Sequence, residues 1–485
     1  MMPAQTIPFP FFEPDKSQFN LSATSLVTNA LPFADGWRPA KGLTVISSAL
    51  GGECLGAVYV READGDYTLI AGTRTGLYKL NTTDYTWADI SGTDAPYSVP
   101  VGDRWSFTRF GSYLIAHTLG DDIQVFNIGT SLTFEKLAGS PPRAKYSLAT
   151  GDFLFLLYLD GKPETIRWSG LNNVEQWTIG EEFCDEQYLP SGDEIMGGVP
   201  FNNGAYIFQR NAIQAMQFAP GSGFTFTRSE ANPKRGCIAP LSIVEIGAGN
   251  MCYLSEDGFY MGVEGSPIGA ERVDRWFFKQ LDTQYLLDVR GVADPFEKIV
   301  WWSFRDATGE ARMLGFDWQL NRWCMVDNDV EELAPLATPG VTWDGIDNLF
   351  NTIDDVSEPF DSRLFRGGRP TFAAFNREHK LGYFTGLNRA LEAETATVGL
   401  NGSGRFFVNG MRVITDANTF TAQVASKDYH SDDLSWSDEI TPSTRTKFIS
   451  ARSDGRLHRF RVNIPEGAAW ENLTAITPEG EATGI

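Results

Sequence analysis

One pattern recurs along most of this chain: an apolar strand, a short polar turn and then an aromatic residue. The aromatic residues that close successive units are Trp87, Phe134, Trp177, Phe226 and Trp323. The first four are separated by about 43 to 49 residues, and the last gap is close to two such intervals, so one further unit is expected between Phe226 and Trp323. A repeat of roughly 40–50 residues built from short strands is typical of β-propeller blades.

Short apolar strands alternate with turns rich in Gly, Asp and Asn from residue 46 to residue 386. Divided by a blade of about 47 residues, this span predicts a propeller of six or seven blades. Helical signal is scarce: residues 273–287 predict a helical turn or two, and residues 344–350 predict one more. The sequence therefore predicts an all-β fold, in which the propeller is a scaffold whose function has to be argued separately.

The two ends of the chain differ from this repeat. Prolines alternate with phenylalanines over residues 3–14, which favours extended backbone, and residues 1–45 are predicted to be an extended Pro/Phe-rich N-terminal arm that docks on a neighbouring surface. Residues 387–485 contain five or more strands separated by Asn-Gly, Ser-Asp-Gly and Pro-rich turns, which predict a C-terminal β-sandwich or barrel domain. The stretch 478–482 is predicted to be frayed.

The charge balance argues against a protein that grips nucleic acid. Lys and Arg number 40 against 62 Asp and Glu, for a net charge of −22. This is the wrong sign for neutralising phosphates. It indicates a soluble acidic protein, and it is compatible with a surface along which a polyanion slides without sticking.

The cysteines predict free buried thiols in a reducing compartment, because they are odd in number, scattered, and without a CxxC spacing. They are Cys54, Cys184, Cys237, Cys252 and Cys324. The first residues lack the basic start and apolar run of a signal peptide, and no run approaches about 18 apolar residues. We expect synthesis in a cytoplasm, no export by the usual route and no stable membrane insertion.

No constellation for catalysis or metal binding stands out, so we predict no catalytic, cofactor-binding or metal-ligating residue, no cofactor and no enzyme. The four histidines are far apart, and HExxH, GxSxG, Walker and GxGxxG patterns are absent from the sequence. An acidic cluster matches no EF-hand loop and is predicted to be a solvated connection. Its members are Asp344, Asp347, Asp354, Asp355, Glu358 and Asp361.

Residues 426–436 look like the Asp-box turn of sialidase-like propellers, stretched and without its glycine. In that turn Asp caps a hairpin and Trp packs below it. The segment therefore predicts a hairpin and says nothing about catalysis.

Several segments resemble the tail hub or nozzle proteins of short-tailed bacteriophages, which are also described as packaged-DNA stabilisation or tail accessory proteins. They are RWSGLNNVEQW at 167–177, GAYIF at 204–208 with QAMQF at 214–218, KRGCIA at 234–239, YLSEDG at 253–258 and RSDGRLHRFRV at 452–462. The resemblance covers roughly residues 50–465. An acidic insertion at 327–370 departs from the pattern.

The resemblance implies a virion structural protein of the phage tail, assembled in the host cytoplasm and released by lysis. It implies a homohexameric ring below the portal and adaptor proteins, in contact with tail fibres or spikes. Double-stranded DNA would be retained by this ring and later conducted through it during ejection, without sequence-specific binding. In a closed ring each subunit meets the next head to tail, and the arm at residues 3–14 is expected to clamp onto an adjacent subunit.

Two alternatives remain open. A glycan-cleaving propeller needs two carboxylates across a cleft, and these can be distant in the chain; such an enzyme would show clustered carboxylates and arginines at one end of its blades. A host-receptor-binding propeller of a phage tail would act as a monomer or trimer.

Overall fold

The computed structural model describes residues 5–62, 65, 67–247, 249–337 and 370–484. Within these ranges, seven antiparallel units of four strands follow one another and are numbered here as blades 1 to 7. Their strands, from first to last in each sheet, are Ala57–Arg61, Tyr67–Gly72, Leu77–Leu80 and Trp87–Asp89 in blade 1; Ser106–Phe110, Tyr113–His117, Gln124–Asn127 and Glu135–Lys136 in blade 2; Ala144–Thr150, Phe153–Leu159, Lys162–Trp168 and Asp185–Tyr188 in blade 3; Ile195–Phe201, Gly204–Gln209, Ile213–Phe218 and Phe226–Asn232 in blade 4; Val244–Gly247, Asn250–Ser255, Gly258–Met261 and Ser266–Pro267 in blade 5; Arg290–Asp294, Ile299–Arg305, Ala311–Asp317 and Arg322–Val326 in blade 6; and Glu332–Ala337, Pro370–Phe375, Lys380–Tyr383 and Thr44–Ala49 in blade 7.

The seven blades form a closed ring. The first strand of each blade is the innermost, and the inner strand of blade 7 contacts that of blade 1. Blade 7 takes its fourth strand from the other end of the chain, since Thr44–Ala49 pairs with Lys380–Tyr383. Seven blades confirm the predicted propeller, and blade 5 is the unit expected between Phe226 and Trp323.

The closing aromatic residues explain the repeat, because each packs on the preceding blade. Trp323 of blade 6 is fully buried and donates its indole N–H to the carbonyl of Ile268, which follows blade 5, at 3.0 Å. Phe226 of blade 4 has its ring centroid 4.9 Å from that of Phe155 in blade 3. Aromatic rings supply a large buried area at the gap between two twisted sheets. The repeat is therefore a set of inter-blade contacts.

Two sheets with a shared apolar core form the C-terminal domain. The first contains, in order, Ser453–Gly455, Arg405–Thr415, Leu473–Gly484, Gly36–Pro39 and Ala30–Phe33, with Ile7–Pro8 also paired to Leu473–Gly484; the second contains Val27–Thr28, Leu391–Glu394, Leu457–Ile464, Thr421–Lys427 and Ser435–Trp436. Alternate residues of Leu457–Ile464 point inward, so that Phe460 and Val462 are fully buried against the first sheet. This arrangement is a β-sandwich.

The N-terminal arm packs on its own chain. Ile7–Pro8 pairs with Leu473–Gly484, and Phe9 and Phe12 are buried. The ring of Phe12 meets that of Trp276 edge to face at 5.4 Å. The prediction that the arm docks on a neighbouring surface is confirmed, and that surface belongs to the same chain. The clamp onto an adjacent subunit stays a prediction. Phe11–Phe12 and Ala23–Thr24 form a further two-stranded parallel sheet.

The arm also joins the propeller to the sandwich. Val27–Thr28 lies between Arg322–Val326 of blade 6 and Leu391–Glu394 of the sandwich, so one sheet runs through both. The predicted division after residue 45 falls inside Thr44–Ala49, which belongs to blade 7. The C-terminal domain is thus anchored at the outer edge of blade 6.

The structure confirms the helical turns predicted at residues 273–287 and the predicted hairpin, but not the predicted fraying near the C-terminus. Residues 273–287 contain the α-helix Asp274–Gln280 and most of the 3-10 helix Thr283–Asp288, which confirms the predicted helical turns; another 3-10 helix spans Pro240–Ser242. Residues 426–436 form the expected hairpin. The predicted fraying at 478–482 is wrong, because these residues continue the strand Leu473–Gly484 along the whole length of Arg405–Thr415.

Candidate functional site

A buried ionic cluster lies where the inner strands begin. Glu332 is the first residue of the inner strand of blade 7, and Arg290 is the first residue of that of blade 6. The Glu332 carboxylate accepts from Arg104 Nη1 at 2.6 Å and forms an ion pair with Arg290. The Glu332 side chain is fully buried, and both arginines are largely buried.

This cluster links blades that are not neighbours. Arg104 precedes blade 2, whereas Glu332 opens blade 7, and blade 1 stands between them in the ring. The ion pair therefore joins blades 2 and 7, which blade 1 separates in the ring, at the end where the inner strands of blades 6 and 7 begin. Sequence reasoning missed it, because the two residues are 228 positions apart.

Burial and charge oppose one another in this cluster. Burial raises the pKa of Glu332, while Arg290 and Arg104 act to lower it. Burial lowers the pKa of Arg290. Burial also acts to lower the pKa of Arg104, but the nearby carboxylates of Glu332 and Asp288 raise it overall. Two guanidinium groups held against one carboxylate are stable only as a unit, because a buried charge without a partner is costly.

A second carboxylate lies beside this cluster. Glu331 accepts from the backbone N–H of Cys54 at 2.6 Å, and its other oxygen lies 2.6 Å from His379 Nδ1. Burial raises the pKa of Glu331. Cys54 precedes blade 1 and His379 lies in a turn of blade 7, so Glu331 bridges the two blades where the ring closes.

The cluster has the residue types of an active site but a closed geometry. A retaining or inverting glycosidase holds its two carboxyl groups about 5–9.5 Å apart across an open cleft. Here Glu332 is inaccessible, and the oxygens of Glu331 are engaged with groups of the protein itself. The arrangement suits a lock on the ring better than a reaction centre. Within the described residues, no group of three His, Cys, Asp or Glu side chains could hold a metal ion.

A serine–histidine pair lies between blades 2 and 3. His117 Nε2 is 2.7 Å from Ser147 Oγ, and His117 Nδ1 is 2.9 Å from the carbonyl of Ala144. The Nδ1–H donates to that carbonyl, so Nε2 accepts from the serine. Ser147 Oγ is also 2.7 Å from Thr108 Oγ1. Because His117 is fully buried and the orienting group is a backbone carbonyl, the pair stabilises the blade interface.

The buried imidazole makes the stability of the protein depend on pH. Burial lowers the pKa of His117 from 6.5 to about 4, so the unfolded chain binds more protons between these values. The stability contributed by neutral His117 is complete above pH 6.5 and is lost as the pH falls towards 4, at up to about 1.4 kcal/mol per pH unit. The free energy of unfolding of the wild type should therefore exceed that of His117→Asn by less at pH 4 than at pH 6.5.

Urea unfolding at a series of pH values measures this difference. His430→Asn is the comparison variant, because it replaces an exposed histidine by the same residue. A constant difference between the wild type and His117→Asn would show that the buried imidazole does not resist protonation.

An exposed apolar surface lies on loops that join the third and fourth strands of blades 3 and 4. We call it the rim patch, and it consists of Leu171, Ile179, Phe183 and Phe224. Phe183 is 62% exposed and Phe224 is 70% exposed. The two loops are held together, because Thr225 Oγ1 donates to the carbonyl of Phe183 at 3.1 Å. Exposed apolar patches of this kind mark interaction sites.

A shallow groove on blade 1 has a volume of about 350 Å3. Its wall includes Glu62, Thr68 and Lys79. The Glu62 carboxylate accepts from Thr68 Oγ1 and lies 3.5 Å from Lys79 Nζ. The polar groups of the groove are thus engaged with one another.

The cysteines and histidines considered in the sequence analysis do not come together into one site. All five cysteines are buried and free, as predicted. His117, His379, His430 and His458 lie in separate environments. The acidic cluster between Asp344 and Asp361 lies outside the described residues, as does residue range 338–369 of the insertion. Among the described helices, none is long and apolar enough to cross a membrane.

Comparisons with known proteins found likeness in solved structures alone, since no family model and no curated protein matches this chain. A crystal structure of the mitotic checkpoint complex matches at a TM-score of 0.39 and 10% identity, covering 73% of this chain and 96% of that one. The WD40 domain of Toxoplasma gondii coronin matches at 0.39 and 9%, covering 74% and 86%. A Mycobacterium tuberculosis puromycin-hydrolyzing peptidase matches at 0.35 and 12%, covering 77% of this chain and 61% of that one. The propeller is defined here by its own strand pairing.

Proposed function

We propose that this chain is a virion structural protein, a subunit of the tail hub or nozzle ring of a short-tailed bacteriophage. In this role it acts without catalysis, below the portal and adaptor proteins and in contact with tail fibres or spikes. The ring retains packaged DNA and conducts it during ejection. The protein is assembled in the host cytoplasm and ends in the virion tail.

The proposal rests on the exposed apolar loop that begins within residues 167–177. This segment also carries part of the resemblance to these tail proteins. Trp168 and Trp177 are buried, and they anchor a loop whose exposed residues include Leu171, Ile179 and Phe183. A surface of this kind, on a closed and rigid ring of blades, favours contact with another protein over the binding of a small substrate.

In the proposed assembly the conduit for DNA is enclosed by several copies of the chain, six in the homohexamer that the resemblance implies. The net charge of −22 fits a wall that DNA passes without sequence-specific binding.

Electron microscopy of the purified protein, or of particles that contain it, tests the proposal. The expected result is a ring of several copies around an axial opening wide enough for duplex DNA. A lone monomer with hydrolase activity would contradict it. If the side chains that face the ring axis prove to be mostly Lys and Arg, the low-friction role of the acidic charge is wrong.

A glycan-cleaving propeller stays as the second candidate, because carboxylates and arginines do cluster at one end of the blades. The relevant groups are Glu331, Glu332, Arg104 and Arg290. Release of reducing ends from host polysaccharide, lost in Glu331→Gln, would favour this alternative. Binding of the isolated protein to host cells as a monomer or trimer would instead favour the receptor-binding alternative.

A further inference from the structure

The rim patch is held in place by a strained and tightly fixed backbone. Glu182 and Phe183 both adopt left-handed conformations, with φ of 47° and 67°. Such conformations are unfavourable for residues other than glycine and cluster at functional sites. The carbonyl of Phe183 accepts from the indole N–H of Trp168 at 2.8 Å, and the N–H of Leu171 donates to the carbonyl of Glu182 at 2.8 Å. The ring of Phe183 is thereby directed into solvent.

The same loop is pressed against the link between blades 2 and 3. A Cβ at Gly139, where φ is 79°, would lie 1.6 Å from the carbonyl oxygen of Glu175. Only glycine permits this approach. The exposed rings of the rim patch are therefore presented on a rigid support, which lowers the cost of ordering them in a complex.

Acidic side chains accompany the rim patch. Glu175, Glu181 and Glu182 are exposed, and residues 169–186 contain no Lys or Arg. No ion pair engages these three carboxylates within the described part of the chain. The surface thus combines an apolar centre with an unneutralised negative edge, and it fits a partner that has apolar side chains beside positive charge.

The sandwich carries a surface with the opposite properties. Residues 440–452 contain Arg445, Lys447 and Arg452 and no acid, and all three side chains are exposed. Among the described residues no ion pair engages them. Phe448 is half-buried beneath Arg412, whose guanidinium lies 5.2 Å from the ring centroid, and Ile414 on the same strand is 46% exposed. We call this surface the basic loop.

The two surfaces lie on different sides of the molecule. The rim patch belongs to blades 3 and 4, whereas the sandwich that carries the basic loop is anchored at the outer edge of blade 6. In a seven-membered ring, blades 3 and 6 are nearly opposite. A head-to-tail contact requires two different complementary surfaces on one subunit, placed so that successive copies close a ring.

We propose that the rim patch of one copy docks on the basic loop of the next copy. Phe183, Ile179 and Phe224 pack against Ile414 and Phe448 of the adjacent copy, while the carboxylates of residues 175, 181 and 182 pair with its basic side chains. This inference rests on the proposed function and specifies which surfaces build the ring.

Charge exchange tests the contact on the full chain. The acidic-side variant carries Glu175→Lys, Glu181→Lys and Glu182→Lys, and the basic-side variant carries Arg445→Glu, Lys447→Glu and Arg452→Glu. Light scattering after size-exclusion chromatography measures the mass of each, against 53.7 kDa for one chain. Each variant alone should raise the concentration needed for half-assembly at least tenfold. An equimolar mixture of the two should form only mixed contacts, and the variant that carries all six changes should recover the wild-type mass.

The matched control reverses three exposed acids that lie outside both surfaces: Glu256→Lys, Glu264→Lys and Glu466→Lys. This variant should assemble like the wild type. If the wild type assembles and the two charge-reversed variants assemble equally well, the proposed contact is wrong while the ring survives. If the wild type remains a monomer at all concentrations, both the contact and the ring are wrong. Circular dichroism confirms that each variant keeps its β structure.

Discussion

Replacement of Glu332 by alanine should lower the free energy of unfolding by about 3–5 kcal/mol, because it leaves two buried guanidinium groups without a counter-charge. Arg104 and Arg290 both form ion pairs with this carboxylate, and both are largely buried. Without Glu332 their mutual repulsion acts in a region that water reaches poorly. Urea unfolding at pH 7 measures the change.

Glu332→Gln separates charge from shape. Glutamine keeps the size of the side chain and can accept one hydrogen bond, but it does not neutralise the arginines, so it should lose most of the same stability. Glu378→Ala is the control, since its exposed carboxylate pairs with the half-exposed Lys380 at 2.7 Å, and its loss should leave stability unchanged. If Glu332→Gln proves as stable as the wild type, the ion pairs of the cluster do not stabilise the closed ring of blades.

Replacement of Trp323 by alanine should cost about 3–5 kcal/mol, because it opens a cavity in the core between blades 5 and 6. Trp323 is fully buried, and its ring lies 4.9 Å from that of Phe316 and 5.9 Å from that of Trp302. The substitution also leaves the carbonyl of Ile268 without its donor. Thermal and urea unfolding should both report the loss.

Trp87→Ala provides a matched comparison within the same repeat. Trp87 occupies the corresponding position in blade 1 but is only half-buried, with its indole N–H 3.3 Å from Ser47 Oγ. Its replacement should cost less than about 2 kcal/mol, because less apolar area is lost. Equal losses at the two positions would mean that burial on the preceding blade does not explain the repeat.

Much of the propeller could be predicted because its signals are local. The closing aromatics recur once per blade, and the turns after each strand carry the residues that turns require. Even the unit without a clear closing aromatic, blade 5, was expected from the doubled gap before Trp323. The helical turns near Trp276 and the hairpin that ends at Trp436 were also visible in the residues nearby.

The partners of the terminal segments were not predictable in the same way. Ile7–Pro8 and Val27–Thr28 are only two residues long, too short to show an alternation of apolar and polar side chains. Residues 478–482 contain Pro, Gly and Glu, which weaken a strand signal, yet they pair with Arg405–Thr415 by way of bulges. Long-range pairing overrode local preference at these positions.

The rim patch, like the pairing of the terminal segments, could not be predicted from the sequence. The resemblance drew attention to residues 167–177, but nothing in that run indicates that Phe183 and Phe224 would be exposed side by side. Their proximity depends on how blades 3 and 4 pack, through the hydrogen bond from Thr225. Exposure is a property of the packed structure, since an apolar residue in a sequence is more readily assigned to a core.

Local patterns were enough to establish an all-β chain with a blade repeat, a separate C-terminal β region, free cysteines and an acidic surface. The closing of the ring decided the rest: which blade receives Thr44–Ala49, and how Arg104 meets Glu332 across 228 positions. The physical reason is the sequence separation over which each kind of interaction acts. Turn chemistry and apolar periodicity act between residues close in sequence, whereas a buried ion pair or a shared sheet forms only after the apolar blade interfaces have brought distant segments together.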